Sequence, residues 1–274
     1  MWKALPKCAQ GVIVAPKCQH GTVRESDVTY RDLICEEVQF KGHNGDMGNA
    51  YYARPKGDGP FPGVVFIHHL PGWNEVCIEA ARRLAHHGYS VICNNLYFRE
   101  GEGDPDDIGA RMRAAGGISD EQMLGDVAGA MAFLRAQSNS NGKVGVMGYC
   151  SGGRHTYLAA CRLPGVNAAV DCWGGRVMAP AEALTAKQPK APIDFTKDMN
   201  CPMLGIFGND DKEPDVAQVN KTEEVLKQLG KTYEFYRYDG AGHAFFDWNR
   251  PSYRVEQAVD AWGKVYDFFA RHLR

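Results

Sequence analysis

The sequence predicts an α/β domain, a mostly parallel central sheet with helices on both faces. Three observations carry this. Short runs rich in Val and Ile alternate with long amphipathic stretches, the rhythm of strands joined by helical crossovers. The segment Gly63-Val64-Val65-Phe66-Ile67 is an unbroken apolar run, as a strand covered on both faces must be. A second such strand, Gly142 to Tyr149, runs straight into a glycine-bracketed turn that opens a helix.

Residues 1–30 are weakly patterned and are expected to form an N-terminal extension. Residues 31–274 are expected to form one domain, since no repeat or low-complexity linker divides them. Leu33 to Phe40 and Asn49 to Arg54 read as an antiparallel pair joined by the turn Lys41-Gly42-His43-Asn44-Gly45. The central strand through His69 follows, then a helix from Asn74 to His87 and a strand from Ser90 to Asn95. Arg99 to Asp107 reads as an acidic loop. Its Asp104, Asp106 and Asp107 lack the regular spacing of calcium ligands, so a solvated turn is expected. A long helix is expected from about Ser119 to Gln137, then strand Gly142–Tyr149 and a helix to about Arg162. Val166–Trp173, Pro202–Phe207 and Thr232–Tyr238 read as strands, with helices over Val216–Leu229 and Tyr253–His272.

Composition narrows the functional classes. A charged fraction of 23% with 11% aromatic residues excludes a disordered chain. Against 33 acidic residues there are 31 basic ones and no basic run, so nucleic acid is not an expected partner. No stretch approaches the roughly 18 apolar residues of a membrane span, and the start, Met1-Trp2-Lys3-Ala4-Leu5-Pro6-Lys7, has no apolar signal segment. The 9 cysteines are odd in number and widely spaced, with no C-x-x-C pair. Neither a disulfide framework nor a four-thiolate zinc site fits that spacing, and a reducing cytoplasm does.

In sheets of this kind chemistry gathers at the carboxyl ends of the strands. The strongest signal there is Val146-Met147-Gly148-Tyr149-Cys150-Ser151-Gly152-Gly153. A nucleophile on a tight strand-to-helix turn has strained backbone angles, so the residues two before and two after it must be small. Gly148 and Gly152 bracket Cys150 in this way. Were Ser151 the nucleophile, the bulky Tyr149 would occupy a bracketing position, so the register selects Cys150. A thiol there gains from the helix N-terminus, which favours the thiolate and offers backbone N–H groups to an oxyanion.

A cysteine nucleophile wants a base, and the base an orienting carboxylate, in the chain order nucleophile, acid, histidine. Gly208-Asn209-Asp210-Asp211 follows one late strand and supplies two candidate acids. Asp239-Gly240-Ala241-Gly242-His243 follows the next and supplies the histidine, with Asp239 a distant third acid. Either Asp210 or Asp211 points to His243 while its neighbour caps the following turn. The other half of an oxyanion hole is expected from the loop His68-His69-Leu70-Pro71-Gly72-Trp73. Pro71 has no N–H, so the amides of Leu70 and Ser151 are the candidate donors. Adjacent strand residues point to opposite faces, so His68 and His69 cannot chelate one metal; either one faces the site and the other the core, or both are purely structural. Trp73, Tyr97, Tyr149, Trp173, Phe245 and Trp248 lie near strand ends and are candidates to line an aromatic pocket.

These motifs resemble those of the dienelactone hydrolase family of the α/β-hydrolase superfamily. The matching segments are Gly148-Tyr149-Cys150-Ser151-Gly152-Gly153, Gly208-x-x-Asp211 and Gly240-Ala241-Gly242-His243-Ala244-Phe245. Asn95-Leu96-Tyr97-Phe98-Arg99 is similar to the family's Asp-Leu-Tyr stretch, and the likeness spans about residues 33–272. The resemblance implies an α/β-hydrolase fold and a Cys150–Asp211–His243 triad, Asp211 being the acid placed three residues after the glycine. It implies hydrolysis of a small ester or lactone through a thioester, with no cofactor or metal, in a monomer or homodimer.

Two positions depart from the family pattern. The family's glutamate after the first central strand is His69 here, where another control of the resting thiol is expected. The arginine four residues after the family histidine is Asp247, beside Phe246, so a dianionic dienelactone is less well served although Arg99 keeps another family arginine. The extension over residues 1–30 exceeds the family pattern and is expected to cover the pocket or a dimer surface. Thioester or phosphotriester cleavage on the same triad is the alternative chemistry. A redox thiol protein would want a resolving cysteine, and none is evident. A non-catalytic binding module would have no use for an intact nucleophile, acid and base.

Overall fold

The computed structural model describes residues 32–274. The extension expected over residues 1–30 lies outside the described residues.

The chain enters the sheet as a hairpin. Strands β1 (Leu33–Lys41) and β2 (Met47–Pro55) pair antiparallel, turning at His43–Gly45, where Asn44 takes a left-handed φ of 55°. Asparagine tolerates that conformation because its short amide can bond locally. β3 (Phe61–Ile67), β4 (Ser90–Asn94), β5 (Ser140–Tyr149), β6 (Ala168–Cys172), β7 (Met203–Gly208) and β8 (Tyr233–Tyr238) complete one eight-stranded sheet in the order β1-β2-β4-β3-β5-β6-β7-β8. From β4 onward every pairing is parallel. Parallel neighbours need crossovers, and the helices supply them.

Two cores result. On one face α1 (Glu75–His86) and α6 (Val255–Leu273) bury Leu84, Trp262, Phe268 and Phe269 against Val64, Phe66 and Val170. On the other, α3 (Asp120–Ala136), α4 (Ser151–Arg162) and α5 (Val216–Gln228) cover Val65, Ile67, Val146 and Ala169. Side chains alternate between these cores along each strand, as a period of two dictates. Three of these five helices carry sequence-readable caps. Asn74 accepts from the Cys77 N–H, Ser119 from the Gln122 N–H, and Asp215 forms a reciprocal capping box with Gln218.

One expectation fails. The acidic segment is not a loop throughout, because α2 runs over Pro105–Ala114. Asp104 caps it by accepting from the Asp106 N–H at 2.9 Å, Pro105 stands in the first turn, and Asp106 and Asp107 meet the positive end of the helix dipole. The aspartates are a helix-start signal rather than a solvated turn. No helix among the described residues is long and apolar enough to cross a membrane.

Candidate active site

β5 ends at Tyr149, and the chain turns into α4 with Cys150 between them at φ 54° and ψ −118°. That is a strained conformation for a residue with a side chain, of the kind that persists only where the surroundings enforce it. Here the Cys150 N–H donates to the Cys172 carbonyl at 3.1 Å and the Arg154 N–H to the Cys150 carbonyl at 3.1 Å, fixing the elbow on both sides. The bracketing glycines are small for a steric reason. A Cβ on Gly148 would overlap the Gly152 carbonyl, and one on Gly152 would overlap the Ile67 carbonyl of the neighbouring strand. Ser151 is the first residue of α4, so its N–H has no partner within the helix.

The loops after β7 and β8 bring the acid and histidine to this elbow. The Nδ1 of His243 lies 2.8 Å from Asp211 Oδ2, and the other Asp211 oxygen accepts from the Glu213 N–H at 3.0 Å. Asp211 is 7% exposed whereas Asp210 faces solvent, which decides between them. Asp239 accepts from the Asn209 side chain at 2.6 Å and takes no part. Burial pulls the pKa of His243 down, but hydrogen bonds with Asp211 and Cys150, and the charges of both, outweigh it and raise the value to about 10.

Cys150, Ser151, Asp211, His243, Leu70 and Tyr97 all line one cavity of about 600 Å³, within the range of small-molecule sites. Leu70, Cys150, Ser151, Asp211 and His243 are thus brought together as the sequence suggested. The same cavity is lined by residues the motifs did not indicate: Arg113, Arg154, Gln188, Lys212 and Glu213. Arg154, one helical turn beyond the elbow, was findable from α4 periodicity; it pairs with Asp120 at 2.6 Å. Arg113 stands in the last turn of α2, and Gln188, Lys212 and Glu213 sit on irregular segments without periodic signal. No group of three or more His, Cys, Asp or Glu residues among the described residues could hold a metal ion.

The sequence pattern of the Dienelactone hydrolase family matches residues 49–273. The chain belongs to the dienelactone hydrolase family. It is a hydrolase acting on ester or lactone bonds. A Methylorubrum extorquens protein named "Putative carboxymethylenebutenolidase" is 34% identical over 245 residues, covering 88% of this chain and 82% of that one. An Escherichia coli K12 protein of the same name is 34% identical over 233 residues, covering 83% and 84%. The crystal structure of a "Putative Dienelactone Hydrolase" from Klebsiella pneumoniae superposes with a TM-score of 0.80 at 32% identity, covering 88% of this chain and all of that one. A metagenomic "Dienelactone Hydrolase-like Promiscuous Phospotriesterase" reaches a TM-score of 0.71 at 19% identity, covering 88% and 99%, which attests to the fold alone.

Within this dienelactone hydrolase fold, several expected lining residues sit elsewhere, each for a physical reason. Tyr149 precedes Cys150 by one residue, so strand alternation sends it to the α1/α6 core, where it packs edge-on to Phe66 at 4.9 Å. Phe245 and Trp173 join that core, 5.2 Å apart. Trp248 is 50% exposed, and Trp73 lines a different cavity. Arg99 is bound by Asp126, which is fully buried, at 2.8 Å and by Asp46 at 2.7 Å, so it anchors the β1–β2 turn to α3 rather than meeting substrate.

Neither histidine of the β3 loop lines the site cavity, which leaves the structural alternative for both. His68 is clasped by the His69 carbonyl at 2.7 Å and the Leu96 N–H at 3.0 Å. His69 is buried; that burial, with the charges of Arg250 and His243 nearby, lowers its pKa to about 4 against an opposing hydrogen bond with Asn74. At neutral pH it is an uncharged ring.

One acid near the elbow was not singled out by the motifs. Asp171 on β6 is 2% exposed and lies against the first turn of α4, where Gly153 and Gly174 leave room for it. Burial raises its pKa to about 7, partly offset by the Gly174 N–H, which donates to it at 2.8 Å. Between the unfolded value near 4 and that folded value, the native state holds the extra proton, so native stability falls as pH rises. Asp171→Asn keeps the acceptor and removes the titration. The variant should gain on wild type by about 1.4 kcal/mol per pH unit across this window. Urea unfolding at several pH values measures the gain, and a difference that does not change with pH refutes it.

Proposed function

We propose that the protein hydrolyses carboxylic esters and lactones with Cys150 as nucleophile, through a thioester intermediate. The observation that carries this reading is a cysteine at a strained elbow facing a histidine that is itself held by a buried aspartate. His243, oriented by Asp211, takes the thiol proton. The thiolate attacks the acyl carbon, and the amides of Leu70 and Ser151 hold the oxyanion that forms. Collapse breaks the bond to the alkoxide, which takes the proton from His243, and the acyl group stays on sulfur. His243 then deprotonates a water that attacks the thioester; the carboxylic acid departs and the thiol is restored.

The cavity carries Arg113, Arg154, Arg176 and Lys212 against Asp211 and Glu213, and the Arg176 guanidinium donates to the Ala183 carbonyl. Arg154 is already paired with Asp120, so the exposed Arg113 and Lys212 favour a substrate with its own carboxylate near the reacting ester. The seven described cysteines are all free thiols, in keeping with action in a reducing cytoplasm, as a monomer or homodimer. Rapid quenching with p-nitrophenyl acetate, followed by peptide mass mapping, should find an acetyl group on Cys150. Acetyl on Ser151, or turnover with Cys150 never labelled, overturns the reading.

A further inference from the structure

A second cavity of about 380 Å³ lies beside the first. Its walls are the rings of Trp73 and Phe98, the amides of Gln39, Asn49 and Asn95, and the Glu102 carboxylate. Of all the residues lining the two cavities, Tyr97 alone is common to both. It is 5% exposed and firmly held. Its hydroxyl donates to the Leu70 carbonyl at 3.2 Å, and its N–H donates to Asn95 Oδ1 at 3.0 Å. Its ring stands edge-on to His68 with centroids 4.7 Å apart, and His68 is itself pinned at both ring nitrogens. Gly72, whose φ of 93° suits glycine, lies against the ring, where a Cβ would meet Tyr97 Cδ2 at 3.4 Å, an ordinary contact.

We propose that Tyr97 is the specificity-determining partition of this enzyme: its ring confines the acyl group to the larger cavity and bars it from a second chamber suited to an aryl-terminated acyl chain. This rests on the proposed ester hydrolysis. Aromatic walls and amide side chains around this second, solvent-open space fit a planar terminal group, which stacks on rings and tolerates polar edges. The partition sits on the oxyanion side of the elbow, since the carbonyl that holds the Tyr97 hydroxyl belongs to Leu70. Without the ring, an acyl chain attached at Cys150 would have a route past Leu70 into the second space.

The test compares kcat/KM for p-nitrophenyl 4-phenylbutanoate with that for p-nitrophenyl acetate. Tyr97→Ala should raise this ratio about 10-fold or more, the scale on which pocket shape discriminates acyl groups. Tyr97→Phe keeps the ring and loses only the hydroxyl, so it should move both rates together and leave the ratio where it was. Adding Gln39→Trp to Tyr97→Ala should refill the chamber and return the ratio toward wild type. An unchanged ratio in Tyr97→Ala, or a gain that Gln39→Trp does not reverse, overturns the proposal. If Tyr97→Ala fails to fold, Tyr97→Leu is read in the same way. If wild type turned over neither ester, the proposed function would fail. The partition would then be judged by calorimetric binding of 4-phenylbutanoate to wild type and Tyr97→Ala, with equal affinities overturning it.

Discussion

Cys150→Ala is expected to lower kcat/KM for p-nitrophenyl acetate by about 10,000-fold or more while leaving the protein folded. The two halves follow from different physics. Removing a nucleophile that acts as a unit with its base costs nearly the whole chemical contribution of the unit, leaving only what binding and oxyanion stabilisation provide. The fold should tolerate the change because alanine still has a Cβ, so the backbone strain at φ 54° is neither relieved nor increased. The side chain itself is only partly buried, on the cavity wall.

A second readout accompanies the loss of rate. Cys150 is one of the two residues whose hydrogen bond and charge hold the pKa of His243 at about 10, so the variant should titrate this ring lower, by NMR. A raised histidine stabilises the native state fully below its unfolded value near 6.5 and loses that contribution as pH rises through the folded value. In Cys150→Ala the alkaline loss of stability should therefore begin at lower pH. Turnover within tenfold of wild type, or an unmoved His243 titration, would show that Cys150 is not the partner of this histidine.

Gly152→Ala is expected to destabilise the protein by about 3 kcal/mol or more, lowering the melting temperature by roughly 10 °C. Two effects oppose each other. Gly152 lies inside the first turn of α4, where alanine is favoured over glycine by about 1 kcal/mol. Against that, the new Cβ would overlap the Ile67 carbonyl oxygen and sit 2.8 Å from that of His68, both backbone atoms of a strand end that cannot swing aside. Separation of α4 from the β3 end is the only relief, and it would move Ser151 away from Leu70. Steric overlap should outweigh propensity, and activity should fall with stability. A melting temperature equal to or above wild type would mean that this close approach is not what requires the glycine.

Most of the scaffold was legible from periodicity. Buried runs such as Val64–Ile67 and amphipathic stretches such as Val255–Leu273 announce their elements because nearly all their residues obey one repeat. The elbow was legible for another reason: its geometry admits only small residues at Gly148 and Gly152, so the constraint is written into residue type. α2 was missed because its cap and first turn, Asp104 to Asp107, read as a charged loop when taken without the apolar face of Ile108 and Met112. The cavity walls were the least legible. Proximity to strand ends proposed six aromatic residues, yet only Tyr97 lines the site, because alternation and loop packing turn Tyr149, Trp173 and Phe245 into the core behind it. The choice between Asp210 and Asp211 depended on one inward turn of backbone, which residue type alone does not specify.

Leu273 and Arg274 lie at the opposite end of the strands from all of this. Asn141 and Lys143, at the start of β5, hold the Leu273 and Arg274 carbonyls at 2.8 and 2.9 Å, while Cys150 lies beyond the other end of that same strand. A tether, tag or fused protein joined after Arg274 would thus emerge at the rear of the molecule, with the whole length of β5 between it and the cavity. Immobilising the enzyme on a support by that end would present the substrate entrance to solution.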